Sequence, residues 1–241
     1  MAWSVSADVE QFDAAVEWFR HRMVITDAEI DRLDEPQRLR AFRIANVTEL
    51  RIAQDVFTEI ELALAEGLPI EEFRKNVAER IADWAPNRHH LDTIFITATQ
   101  DAYNAGRYRE MSDPAITNVR PYRMYDSVLD GRTTEICRDR DEVVKPHDDP
   151  WWQQNWPPNH FRCRAGVRTL TQRQAQERGI TDGIDDPLTK PTDGFGQSPD
   201  RRPSIVPEPP ARRRFDSELY SAFEQRDSRT TARVREETEN Q

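Results

Sequence analysis

One stretch constrains this chain more than any other: Tyr125 to Leu170, read as YDSVLDGRTTEICRDRDEVVKPHDDPWWQQNWPPNHFRCRAGVRTL. Both cysteines of the chain, two of its five histidines and three of its six tryptophans fall inside it. Large aromatics contribute most when buried, so this density predicts a compact unit with Trp151, Trp152 and Trp156 as its local core. Turn chemistry punctuates the stretch at Asp130-Gly131, Asp149-Pro150 and Pro157-Pro158. Stacking of the three tryptophans on nucleic-acid bases is the functional alternative to a core role.

The rest of the chain bounds what such a unit can be part of. At 241 residues there is room for one large domain or two small ones. Hydrophobic residues make up 37% and charged residues 32%, which limits the core and favours solubility. No run approaches the apolar length of a membrane span, and MAWSVSADVE carries neither a basic nor an apolar leader region. The expectation is a protein that stays in the cytoplasm where it is made. Two cysteines make no disulfide framework, and a reducing compartment disfavours pairing them. A net charge of -10 speaks against a generic nucleic-acid binder, because phosphate binding needs clustered cations.

Residues 1–111 read as helices. Phe12, Val16, Phe19 and Met23 share one helical face. Thr26 and Glu29 form a capping-box pattern opening a short helix with Ile30 and Leu33. Pro36 suits the first turn of a longer helix reaching about Ala65 and stopped by Gly67, with Leu39, Phe42, Val47, Leu50, Phe57, Ile60 and Leu64 along it. Ile70, Phe73, Val77, Ile81 and Trp84 mark another amphipathic helix that Pro86 breaks. Asp92 to Met111 follows, with Ile94, Ala98, Ala102, Ala105 and Tyr108 on one side.

Residues 112–180 read differently. Arg120 to Asp126 is alternating and aromatic, a strand pattern, and Cys163 to Leu170 is a second strand candidate. Thr171 and Gln174 cap a short helix that Gly179 ends. Residues 181–241 open on a proline-rich run, Pro187 to Pro210, expected to be an extended linker rather than core. After it, Arg212, Arg213 and Arg214 form a short basic run, Phe215, Leu219 and Phe223 can form a brief docking helix, and a charge-balanced disordered tail follows. The fold class is therefore α+β: a helical N-terminal region, a small mixed α/β domain, and a disordered Pro-rich tail.

The central stretch resembles the phage Mu F-like minor head proteins, also called the phage head morphogenesis family. The matching pieces are Arg132-Thr133, Cys137, Pro146 to Trp152, Pro157-Pro158-Asn159 and Cys163-Arg164. Ala65 to Arg74 and Ala102 to Tyr108 carry the likeness into the helical half, so that it runs from roughly residue 15 to 200. The chain departs from the pattern at Ala165, where the family has the last cysteine of a Cys-Arg-Cys strand. The resemblance implies a structural protein of a tailed phage or prophage, not an enzyme, placed in few copies inside the virion head near the portal vertex. It implies the portal protein as partner, scaffold or major capsid protein and packaged DNA as further contacts, a role in head assembly, and, for some members, ejection with the DNA.

Cys137, His160 and Cys163 are the candidate ligands of a tetrahedral zinc site, since thiolates and imidazole suit that ion. Where Ala165 stands, a fourth ligand is missing, with His147, Asp130, Asp141 or a water as substitutes. The other reading needs no cofactor: the cysteines are small buried hydrophobes and His160 a hydrogen-bonded turn residue. Asn159 and His160 beside Cys163 invite comparison with metal-dependent nucleases, which need a second histidine as base; an enzyme of that kind, or another nucleic-acid-modifying module, is the alternative function. A zinc-ribbon-like adaptor without a phage role is a third. Asp148 and Asp149 are expected to cap a turn, and His89-His90 to lie at a solvated helix start.

Overall fold

The computed structural model describes residues 13–33, 41–42, 44, 49–81, 88–181 and 189–201. The expectations for Phe12, Leu39, Val47, Trp84, Pro86, the Arg212–Arg214 run and the tail beyond Arg201 lie outside the described residues. The architecture is α+β, a helical region followed by a small mixed unit, as the sequence implied.

Helix α1 (Asp13–Arg20) is followed by a two-residue strand β1 (Met23–Val24) and a 3-10 turn over Asp27–Arg32. Strand β2 (Ala41–Phe42) pairs with β1 in parallel, Met23 opposite Ala41. Two expectations fail here. Met23 does not continue the face of α1, and Phe42 lies on a strand rather than within a helix running from Pro36 to Ala65. In both cases the backbone is taken by the partner strand, a non-local competitor that local periodicity cannot register. Half of the Thr26–Glu29 box forms: the Thr26 backbone N–H and hydroxyl both donate to the Glu29 carboxylate, at 2.7 and 2.8 Å, while the Glu29 N–H donates to the Thr26 carbonyl rather than to its hydroxyl.

Helix α2 (Leu50–Glu66) ends at Gly67, whose φ of 68° is the left-handed geometry that favours glycine. Helix α3 (Ile70–Arg80) ends before Ile81. Helix α4 (Arg88–Met111) starts a turn before the expected Asp92. These helices enclose one core in which Val56, Ile60, Leu64, Phe73 and Val77 are buried. Phe19 stacks on Phe57 with centroids 4.5 Å apart, and Phe42 meets both rings edge-on. On α4 the buried line is Leu91, Phe95, Thr99 and Ala102, while Ile94 and Ala98 are only partly covered.

A short helix α5 (Pro114–Thr117), capped by Asp113, leads into the small unit. Its sheet has the order β4-β3-β5, all antiparallel: β3 (Tyr122–Asp126), β4 (Val144–Pro146) and β5 (Gly166–Leu170). Tyr125 opposes Val167 and Met124 opposes Val144. Successive residues of β3 therefore serve opposite faces. Tyr125 and Val167 join the tryptophans on one face; Met124, Val144 and Leu170 pack with Ala175 on the other. Ala175 belongs to helix α8 (Gln172–Arg178), opened by a full capping box at Thr171 and Gln174 and followed by Gly179. Helices α6 (Glu135–Arg138) and α7 (Trp152–Asn155) fill the connections.

Helix α4 belongs to both cores. Its first half packs in the helical region, and Tyr108 and Met111 at its end pack against the tryptophan cluster. Arg123 reinforces the junction. Only 2% exposed, it donates to Ser112 Oγ at 2.8 Å and to the His147 carbonyl at 3.0 Å, and its guanidinium lies over the Tyr108 and Trp156 rings. Cation–π contact suits a desolvated guanidinium.

The expectation of an extended linker does not describe residues 189–201. Thr192 N–H donates to the Asn159 carbonyl, Gly196 N–H to the Pro158 carbonyl, and Ser198 N–H to the Gln153 carbonyl, while Trp156 N–H donates back to the Gly196 carbonyl. Composition identifies the prolines, but the backbone carbonyls of Gln153, Pro158 and Asn159 and the Trp156 N–H decide where this segment lies.

Candidate functional site

The tryptophans are core. Trp151, Trp152 and Trp156 are 5%, 2% and 0% exposed, and each neighbouring pair meets edge to face. Trp152 Nε1 donates to the Pro146 carbonyl at 2.8 Å and Trp156 Nε1 to the Asn104 carbonyl of α4 at 3.1 Å. Trp151 Nε1 is buried without a hydrogen-bond partner. All three rings are covered, so base stacking has no surface to use here. Asp149 caps its turn as expected, accepting from Trp151 N–H at 2.8 Å.

Beside this core the structure brings Cys137, His160 and Cys163 together. Cys137 rides on α6, whose first turn is capped by the Thr134 hydroxyl. His160 and Cys163 come from the turn before β5, where Cys163 N–H donates to the His160 carbonyl. The three ligand atoms lie within 4.8 Å of one another. Cys137 Sγ is 3.7 Å from Cys163 Sγ and 3.1 Å from His160 Nε2, and both thiols are free and buried. His160 Nδ1 faces the Phe161 carbonyl at 2.8 Å, which assigns the ring proton to Nδ1 in the neutral imidazole and leaves the Nε2 lone pair toward the sulfurs.

Electrostatics separates the two thiols. A hydrogen bond from Cys137 and, when the imidazole is protonated, another from His160 stabilise the Cys163 thiolate and hold its pKa below the ordinary thiol value, whereas the bond to Cys163 and burial push the Cys137 thiol up. The bond to Cys163 raises the His160 imidazole above its ordinary value. Tyr125, buried under the same cluster, is pushed well above the usual phenol range by desolvation. Its hydroxyl accepts from Asn159 Nδ2 at 2.8 Å, which anchors the turn carrying His160.

The suggested fourth ligands do not converge. Asp130 is held by Arg164 through two bonds of 2.7 and 2.6 Å, a pairing that also keeps its carboxyl well below the carboxylate range. Asp141 accepts from Ser127 N–H at 2.8 Å. Among the described residues the only convergent group of this kind is Cys137, His160 and Cys163, so His147 stands apart and no second histidine joins His160. His89 lies exposed at the start of α4, its Nδ1 3.0 Å from Arg162.

Two participants were not legible as such. Thr134 Oγ1 sits 2.9 Å from His160 Nε2; its place before Glu135 signals a helix cap, but not this contact. Arg140, which lies in the charged run Arg138 to Glu142 and carries no local signal of burial, is fully buried. Its guanidinium donates to Asn155 Oδ1, the Ile136 carbonyl and the Thr189 carbonyl, at 2.9, 2.7 and 2.9 Å.

Comparison with known proteins agrees with the family resemblance. The family described as "Phage Mu protein F like protein" matches residues 54–168, a shorter span than the 15 to 200 over which the likeness was read. A protein of Escherichia phage Mu, named for capsid assembly as protein F, is 32% identical over 160 residues, covering 58% of this chain and 36% of its own length. The FluMu F protein of a Mu-like prophage in Haemophilus influenzae is 27% identical over 161 residues, covering 61% of this chain and 38% of its own. The chain thus spans little more than a third of the curated relatives it matches. No solved structure matches it.

Proposed function

From a chain whose residues 54–168 are a phage Mu protein F-like region, we propose a structural component of a tailed-phage or prophage head, acting in head assembly as a minor head protein and not as an enzyme. The observation that carries this reading is the 32% identity to the capsid-assembly relative, extending over 160 residues. The matched residues run from inside α2 to within β5, so they take in the tryptophan core, the helix α4 that joins the two cores, and the part of the helical core that α2 and α3 supply. A structural role also fits a site whose thiols and tryptophans are buried. No helix of the described residues is long and apolar enough to cross a membrane.

The proposal extends to the partner. The head's portal is the expected docking site, with the helical region carrying the contact and capsid or scaffold proteins and packaged DNA as neighbours; ejection with the DNA is part of the same reading. The test is mass spectrometry of purified particles together with chemical cross-linking. The chain is expected in heads at low copy, with portal cross-links reaching Lys75, exposed on α3, rather than Lys145, buried on β4, or Lys190. Heads that lack the chain would overturn the assembly role. Cross-links to portal confined to Lys190 would overturn the assignment of the contact to the helical region.

A further inference from the structure

We propose that Cys137, His160 and Cys163 hold one zinc-class divalent ion, with a solvent oxygen completing the tetrahedron. The argument is independent of the head-assembly reading. Two thiolates bound to one zinc at about 2.3 Å stand about 3.8 Å apart when the geometry is tetrahedral. The sulfurs here are 3.7 Å apart, far beyond the roughly 2.05 Å of a disulfide. Cys137 Sγ and His160 Nε2, at 3.1 Å, are closer than the about 3.5 Å of a sulfur–zinc–nitrogen edge. A retreat of a few tenths of an ångström closes that gap, and the half-buried ring of His160 can make it.

The surroundings are arranged for such an ion. His160 offers Nε2 to the sulfurs while Nδ1 is engaged by a backbone carbonyl, the usual support behind a metal-bound imidazole. Arg140 is buried beside the cluster, and the acceptors of its three hydrogen bonds are neutral oxygens. Two thiolates so close repel unless a cation lies between them; a divalent ion neutralises the pair, which suits residues only 4% and 1% exposed. The ligands are also pre-positioned from two sides. Thr134 caps the helix carrying Cys137, and Asn159 and the Asp130–Arg164 pair hold the turn carrying His160 and Cys163. With Ala165 in place of a thiol, and Asp130 and Asp141 engaged elsewhere, the remaining position falls to solvent beside the Thr134 hydroxyl, 2.9 Å from Nε2.

The experiment uses the full chain purified from zinc-supplemented cells. Native mass spectrometry is expected to show one zinc per chain, lost in Cys137→Ser and in Cys163→Ser. Since either variant can fail to fold, cobalt(II) exchanged into the wild-type chain provides a second reading. Sulfur-to-cobalt charge transfer with the intense visible bands of a tetrahedral ion is expected, and alkylation of both thiols should accelerate at least tenfold on chelation. A folded wild-type chain free of zinc, with no charge-transfer band, would overturn the proposal in favour of a hydrogen-bonded trio of core residues. Zinc retained at one equivalent in both serine variants would overturn it by locating the ion elsewhere.

Discussion

Trp156 concentrates in one side chain what holds the small unit together. It is fully buried, meets Tyr108 and Trp152 edge to face, and donates across the junction to the Asn104 carbonyl. Asn104 in turn donates to the Ala165 carbonyl at 3.1 Å, so the contact links α4 to the strand lead-in beside Cys163. Trp156→Ala should cost about 3–5 kcal/mol, the range for emptying a large aromatic from a core. Trp156→Phe keeps most of the volume but leaves the Asn104 carbonyl without this donor, and should lose about 1–2 kcal/mol beyond the packing change. Urea titration followed by circular dichroism separates the two. Equal losses would show that the indole N–H contributes nothing, and a loss under 1 kcal/mol for the alanine variant would contradict a core role.

Among the elements, α3 and α4 are joined by packing and by one well-placed ion pair. Phe73 and Phe95 meet with centroids 4.8 Å apart, and Arg74 Nε donates to Asp92 Oδ1 at 2.7 Å with both side chains mostly covered. The Arg74 hydrogen bond lowers the Asp92 pKa against the opposing cost of desolvation. A carboxyl depressed in the folded state binds fewer protons there than in the unfolded chain. Its contribution is therefore complete above the unfolded value of about 3.9 and is lost as pH falls through the lower folded value. Asp92→Asn should cost on the order of 1 kcal/mol near neutral pH, a figure kept modest by solvent screening. The difference from wild type should shrink as the pH is taken below about 4. A difference constant with pH in thermal melts would remove the ion pair as its cause.

At the scale of the whole molecule, two cores share α4, and the segment 189–201 closes over the small one. Gly196 marks the tightest point of that closure. Its φ is 83°, and a Cβ there would stand 2.6 Å from Pro191 Cγ and 2.8 Å from the Gln154 carbonyl. Gly196→Ala should therefore loosen the segment, and a chain stopped before Thr189 should lose it altogether, along with the Thr189 carbonyl that Arg140 uses. Tryptophan emission in both should shift to the red, and the melting temperature should fall more for the truncation. Emission and melting unchanged by truncation would mean that the segment adds nothing to the small unit.

What the sequence determined by itself is local. The Thr171–Gln174 box, the stop at Gly67, the helical periods of α2 and α3, the aromatic strand β3 and the burial of the tryptophan trio all follow from neighbours within a turn or from side chains too large to leave wet. The family likeness rests on the same local strings. Three things came only with the tertiary structure. Ala41–Phe42 is strand because β1 supplies a partner. Arg140 is interior because Asn155 and Thr189 supply oxygens from distant points of the chain. Cys137 meets His160 and Cys163 because α6 and the turn before β5 fold onto the same tryptophan core. Each depends on groups far apart in sequence, and the free energy of such contacts comes from burial and pairing that no single segment possesses.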